Sequence, residues 1–199
     1  MTATRPPRAD AVRNRRLLLA AAADEFAEHG LDASVADIAR RAGVGKGTVF
    51  RHFATKDDLV AAILTDRMDA LHHLGERLLA SGDPAAAVRE FLTAAAAQRQ
   101  ERDLSFLAAA TESMPEVAAA RDRMMATIDA VVARARDHGA IRADITGTDV
   151  FLLMCAPNYV AGYVPDAVPD LWRRYLAVIL DGLSPEGAQP LPIQPPTLT

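Results

Sequence analysis

The chain reads as all-α, and three observations carry that reading. Apolar residues recur three and four positions apart along almost the whole sequence, no stretch sustains a period of two, and the gaps between periodic stretches hold helix start and stop residues. With 199 residues, half of them apolar, there is material for a buried core and room for one domain or a small module joined to a larger one. The formal net charge is only −4, so general basicity argues for no partner. Charge position says more. Up to Lys56 ten Lys or Arg stand against six Asp or Glu, and beyond it twelve stand against twenty, so the two ends are suited to different work. Cys155 is the single cysteine, which excludes an internal disulfide framework and a cysteine-cluster metal site.

Residues 1–9, with Arg5, Pro6, Pro7 and Arg8, read as a flexible basic arm. The first helix is predicted from about Ala11 to His29, with Asp10 as N-cap, Leu18, Ala22 and Phe26 as its apolar stripe, and Gly30 as its stop. Arg15-Arg16 before the apolar run from Leu17 to Ala23 imitates an export signal. Asp24 and Glu25 cut that run while the helical stripe continues past them, which suits an amphipathic helix. Ser34 with Asp37 opens a short second helix in a capping-box arrangement, ending before Gly43, and a third spans roughly Lys46 to His52. Thr55 with Asp58 opens a long fourth helix whose stripe is Val60, Ile63, Leu64, Leu71, Leu74 and Leu78.

Asp83-Pro84 is an N-cap followed by a first-turn proline, and Val88, Phe91, Leu92 and Ala95 give the helix it opens an inner face. A short helix is expected around Leu104, Leu107 and Ala108. Pro115 opens another, carrying Val117, Met124, Met125, Ile128, Val131 and Val132, and Gly139 closes it. Thr146 with Asp149 caps a penultimate helix over about 147–160, inside which Pro157 lacks an amide and forces a kink or break. Leu171, Trp172, Tyr175, Leu176 and Ile179 mark the last, about 169–182. Residues 184–199 hold five prolines and almost no charge, so a disordered tail is expected. No apolar run approaches the roughly 20 residues that cross a bilayer, and the expectation is a cytoplasmic protein without a membrane partner.

Residues 35–53 have the spacing of a helix-turn-helix. Two short helices that cross closely need a small residue where they touch, a residue free to turn left-handed between them, and apolar inner sides. Ala39, Gly43 and the set Val35, Ile38, Val44 and Val49 supply these. An ordinary helical corner would show the same pattern. Polar and basic residues, however, cluster on the opposite side of this unit: Lys46, Thr48, Arg51, His52 and Lys56.

On these residues the chain resembles the TetR family of bacterial transcriptional repressors. The resemblance runs from Asn14 to Val60 without a gap: Leu17 to Phe26, Glu28-His29-Gly30, Ser34 to Ala39, Ala42 to Phe53, and Lys56. Farther on, Gly139-Ala140-Ile141-Arg142-Ala143-Asp144 is similar to the family's junction before its last two helices. Pro169 to Tyr175 with Leu180 to Leu183 is similar to the subgroup with SbtR-like C-terminal domains. The resemblance implies that the helix from Lys46 to His52 lies in the major groove, with Gly45, Lys46 and Gly47 toward base edges. It places Thr48, His52, Lys56 and the helix starts at Ser34 and Thr55 against phosphates. Phe50 stands where the family usually has a tyrosine, and Gly45 where it usually has a serine, so one hydroxyl contact and one side-chain cap are missing. Arg51 belongs to the same face.

Two lookalikes are set aside. Gly43-Val44-Gly45-Lys46-Gly47-Thr48 imitates a nucleotide-binding phosphate loop, but Arg40 stands where its first glycine is required and residues 36–41 are too charged for the buried strand that should precede it. His72-His73 and His138 suggest a metal, yet adjacent helical side chains point about 100° apart, so the expectation is surface histidines and no metal or cofactor.

The sequence therefore predicts a non-enzymatic regulator in four parts: the arm 1–9, a DNA-binding domain 10–56, an effector-binding and dimerisation domain 57–183, and the tail 184–199. Its expected partners are a near-palindromic double-stranded operator, a second copy of itself, and a small, mostly apolar effector. Phe91, Phe106, Met125, Ile128, Phe151, Cys155, Asn158 and Tyr159 are the candidate effector contacts, next to the polar groups that a break at Pro157 would free. The alternatives are an enzyme or small-molecule carrier built on the C-terminal domain, and a regulator without a small-molecule effector.

Overall fold

The computed structural model describes residues 7–101, 104, 107, 111, 114–164 and 168–195, with 7–12 described by their backbone alone. The described residues form helices and connecting turns, with no strand among them. In chain order the helices are α1 (Pro7–His29), α2 (Val35–Arg41), α3 (Lys46–His52), α4 (Lys56–Leu79), α5 (Pro84–Glu101), α6 (Pro115–Asp137), α7 (Gly147–Leu153), α8 (Ala156–Ala161) and α9 (Leu171–Gly182). A 3₁₀ turn, Gly30–Asp32, follows α1.

Local chemistry sets most of these boundaries. The Ser34 hydroxyl accepts from the Asp37 amide at 3.2 Å and donates to the Asp37 carboxylate, so α2 begins where its first free amide finds a partner. At Thr55 the box is reciprocal: the Asp58 amide donates to the Thr55 hydroxyl at 3.0 Å and the Thr55 amide donates to the Asp58 carboxylate at 2.9 Å. Thr146 and Asp149 repeat it at α7. The first start differs from expectation. α1 opens at Pro7, so Asp10 lies inside the helix; a proline at the first helical position loses no bond and brings a helical φ.

The penultimate helix is interrupted, as a proline at 157 requires. α7 stops at Leu153, and α8 restarts after Cys155 with Pro157 in its first turn, where a missing amide costs nothing. The last helix begins at Leu171 instead of Pro169.

The chain forms two compact units, the described residues of 1–66 and 102–118 in one and those of 67–101 and 119–199 in the other. The boundary falls inside α4, whereas the nearest punctuation in the sequence lies at its start. In the first unit Leu18, Ala22 and Phe26 of α1 pack with Ile38, Ala39, Val49, Phe53, Leu59, Val60 and Ile63. In the second, Leu71 and Leu78 of α4 join Val88, Phe91 and Leu92 of α5, Met124, Ile128 and Val132 of α6, and Trp172 and Leu176 of α9. Burying one such aromatic or branched side chain contributes about 1.5–3 kcal/mol. Residues 184–195 carry no helix, but the Arg142 guanidinium donates to the Gln189 carbonyl and the Leu191 amide to Asp144 at 3.2 Å.

Candidate nucleic-acid interface

The first unit presents α3 on its outside. α2 ends in a left-handed cap: Gly43 has φ +69°, the Val44 amide donates to the Ala39 carbonyl at 2.9 Å, and the Gly43 amide donates to that of Arg40 at 3.1 Å. This turn sends the chain back across α2, and Val49, 1% exposed, fixes the inner side of α3. With Val49 inward, helical spacing leaves Lys46, Gly47, Phe50, Arg51 and His52 exposed.

Gly45 caps α3 with backbone alone, its carbonyl accepting from the Thr48 amide at 2.8 Å. Neither Gly45 nor Gly47 has an atom within 4 Å of where a Cβ would stand, so the start of α3 is open to close approach by another molecule. The Arg51 guanidinium donates to the Thr48 hydroxyl at 2.9 Å, which ties these two candidates into one polar group. Lys56 is turned inward, its ammonium donating to the Leu31 carbonyl and lying 5.6 Å from the Phe26 ring centre. Ser34 and Thr55 stand exposed at the starts of α2 and α4.

A charge clamp that the periodicity reading missed holds α2 on α1. Arg41 reaches Glu25 at 2.9 Å and Glu28 through two bonds of 2.7 and 2.5 Å, and Glu25 is buried with His29 at 3.2 Å from its other oxygen. The Arg41 guanidinium holds the Glu28 carboxyl below the usual range, and its own proton is bound more tightly in return. Asp37 is likewise lowered, first by the Ser34 hydroxyl and then by Arg40. Glu25 and Glu28 near the end of α1 and Arg41 at the end of α2 were the available signal, but burial of Glu25 is a tertiary fact.

The effector candidates belong to the second unit. Phe91 and Ile128 are fully buried in its core, with Met125 and Phe151 half-buried against it. The Asn158 amide group donates to the Ala96 carbonyl at 2.8 Å, while its Oδ1 is buried without a hydrogen-bond partner. Arg99 points a guanidinium nitrogen at the Cys155 sulfur, 3.6 Å away. Tyr159 is not with them: it is 65% exposed, its hydroxyl 2.7 Å from that of Tyr163. Phe106 lies outside the described residues. Two open clefts of about 400 and 410 Å³ are lined elsewhere in this unit, around Val88 and Ile141 and around Leu152 and Ile179.

Comparison with known proteins agrees with this architecture. Residues 18–63 match the family of bacterial regulatory proteins called tetR, and residues 83–185 match the C-terminal domain of SbtR-like transcriptional regulators. The HTH-type transcriptional repressor Rv3405c of Mycobacterium tuberculosis is 52% identical over 62 residues, which is 31% of this chain and only 29% of that protein's length. The HTH-type transcriptional repressor KstR2 of Rhodococcus jostii is 29% identical over 189 residues, covering 85% of this chain and 91% of the relative. The crystal structure of a TetR regulatory protein from Mycobacterium vanbaalenii superposes with a TM-score of 0.66 at 33% identity, over 90% of this chain and 99% of that one. These families are transcriptional regulators, not enzymes, and among the described residues no helix is long and apolar enough to cross a membrane. With α3 turned outward and residues 83–185, just over half of the chain, matching the SbtR-like C-terminal domain, this protein belongs to the TetR family of transcriptional regulators.

Proposed function

We propose that the chain acts as a homodimeric repressor whose α3 enters the major groove of a near-palindromic operator and which a small, mostly apolar ligand releases. The observation that carries the DNA reading is the two-sidedness of α3, with Val49 sealed inward and Lys46, Phe50, Arg51 and His52 exposed. Lys46 is the long cation at the start of the helix, where base edges are within reach, and exposed Phe50 suits apolar contact with a thymine methyl group. Thr48 and Arg51, His52, and the first-turn amides of the helices that begin after Ser34 and Thr55 serve the phosphates. Two such helices in a dimer read half-sites one helical turn, about 34–36 Å, or a multiple of it apart.

Dimerisation through α7 and α9 is supported by Leu152 and Val178, which are large, apolar and exposed on these helices in the single chain. The effector reading is supported by the unpartnered Asn158 oxygen beside the break at Pro157, with Phe151 and Met125 on adjoining apolar faces. A ligand acts as inducer only if it binds the DNA-incompetent state better than the competent one.

Fluorescence anisotropy with DNA from upstream of the protein's own gene tests the DNA reading. Lys46→Ala is expected to lower affinity roughly tenfold. Arg51→Ala is expected to flatten the salt slope by about one unit. Unchanged affinity and slope in both variants remove the interface. For the effector site, binding of the apolar dye anilinonaphthalene sulfonate is expected to weaken in Phe151→Ala and Asn158→Ala; unchanged binding removes that site and leaves the DNA reading intact.

A further inference from the structure

α4 carries two adjacent histidines and a glutamate one turn later, and packing against α6 changes what they can do. Gly75 lets α6 come unusually close, since a Cβ there would stand 2.3 Å from the Thr127 side chain. At this approach Nδ1 of His72 lies 2.6 Å from the buried Thr127 hydroxyl. That hydroxyl donates its one proton to the Arg123 carbonyl at 3.1 Å, so it accepts from His72 Nδ1–H. The tautomer is thereby fixed, and Nε2 of neutral His72 keeps its lone pair on the side of Glu76, whose carboxylate oxygen is 3.7 Å away. A metal-binding histidine needs this arrangement, with one nitrogen anchored through its hydrogen and the other free.

His73 Nδ1 lies 3.1 Å from the second Glu76 oxygen, and one ligand atom from each of the three residues falls within 4.8 Å of the others. Ligands bound to one tetrahedral ion at about 2.1 Å sit roughly 3.4 Å apart, so a cluster whose ligand atoms lie within 4.8 Å of one another closes on an ion by a small contraction of side chains. The two imidazole centres are 5.2 Å apart, close to the roughly 5 Å that two rings on such an ion adopt. The 100° between adjacent side chains is spanned because Glu76 stands four residues from one histidine and three from the other. Nearby cations are engaged: Arg77 on the His73 carbonyl at 3.1 Å and Arg123 on Asp69 at 2.8 Å.

We propose that His72, His73 and Glu76 form a site for a divalent ion of the zinc class, with Thr127 as the positioning residue for His72. Two imidazoles and one carboxylate suit zinc over magnesium or calcium, which prefer oxygen. Three protein ligands leave the remaining position to water.

The test is calorimetric titration of metal-stripped, untagged protein with zinc chloride, with magnesium chloride as comparison. One zinc ion is expected per chain, with a rise in the unfolding midpoint and no response to magnesium. His73→Ala and Glu76→Gln each weaken zinc binding at least tenfold and abolish that rise, Thr127→Val weakens it roughly tenfold with helicity retained by circular dichroism, and His138→Ala leaves it unchanged. Absence of zinc binding overturns the proposal. So does binding that survives both His73→Ala and Glu76→Gln.

Discussion

Two pairs of short helices, α2 with α3 and α7 with α8, have nearly the same size, six or seven residues per helix, and are joined by opposite means. Between α2 and α3 the chain passes through a left-handed glycine and closes the carbonyls of α2 on its own turn. Between α7 and α8 it stays right-handed through Met154 and Cys155, and Pro157 supplies the discontinuity by lacking an amide. The first pair buries Ile38, Ala39 and Val49 within its own unit. The second buries Val150 and Pro157 but leaves Phe151, Leu153 and Met154 half-covered and Leu152 exposed. A pair that completes its own core can devote its outer face to polar and charged residues. A pair that does not retains apolar surface for another molecule to cover.

The largest expected break in this contrast comes from one charge placed on each pair. Val49→Asp buries an unpaired carboxylate and should cost about 4 kcal/mol, which equilibrium urea unfolding followed by circular dichroism would record. Leu152, 46% exposed, should accept the same change without loss of helix, and light scattering should then show monomers in place of the dimer proposed for the parent chain. A folded, dimeric Leu152→Asp would remove α7 from the interface.

The charge clamp comes next. Arg41→Ala leaves Glu25 buried with only His29 beside it, and the midpoint of thermal unfolding should fall by roughly 5–10 °C. An unchanged midpoint would mean that α2 is held on α1 by apolar packing alone.

The smallest effect separates the two turns themselves. Gly43→Ala should destabilise by about 1–2 kcal/mol, because φ there is +69° and the open space around it offers no compensating contact. Gly162→Ala, at the end of α8 with φ −65°, should be neutral or stabilising by about 0.4–1 kcal/mol through the unfolded chain. Equal urea midpoints for the two variants would contradict the difference in turn geometry.

Helix ends were legible because capping is local. Ser34 with Asp37, Thr55 with Asp58, Thr146 with Asp149, and the glycines at 43 and 139 each act within three to six residues of chain, so sequence order alone brings the partners together. The helix-turn-helix followed for the same reason. Among the candidate effector contacts, Phe91 and Ile128 lie where a helical stripe puts them, inward, whereas Tyr159 turns to solvent. A short helix restarted by proline is free to choose its azimuth, and no periodicity within six residues encodes that choice.

The amino-acid sequence by itself determined the helical class, the caps and the two-sided α3, all consequences of interactions spanning a turn or two. Tertiary structure alone decided that Glu25 would be buried under Arg41, that Lys56 would turn back to Leu31, and that His72 would meet Thr127, 55 residues away. Each of these depends on how closely two helices approach, which is set by packing across the unit. At Gly75 the absence of one side chain allows that approach, and no pattern along α4 announces which neighbour it admits.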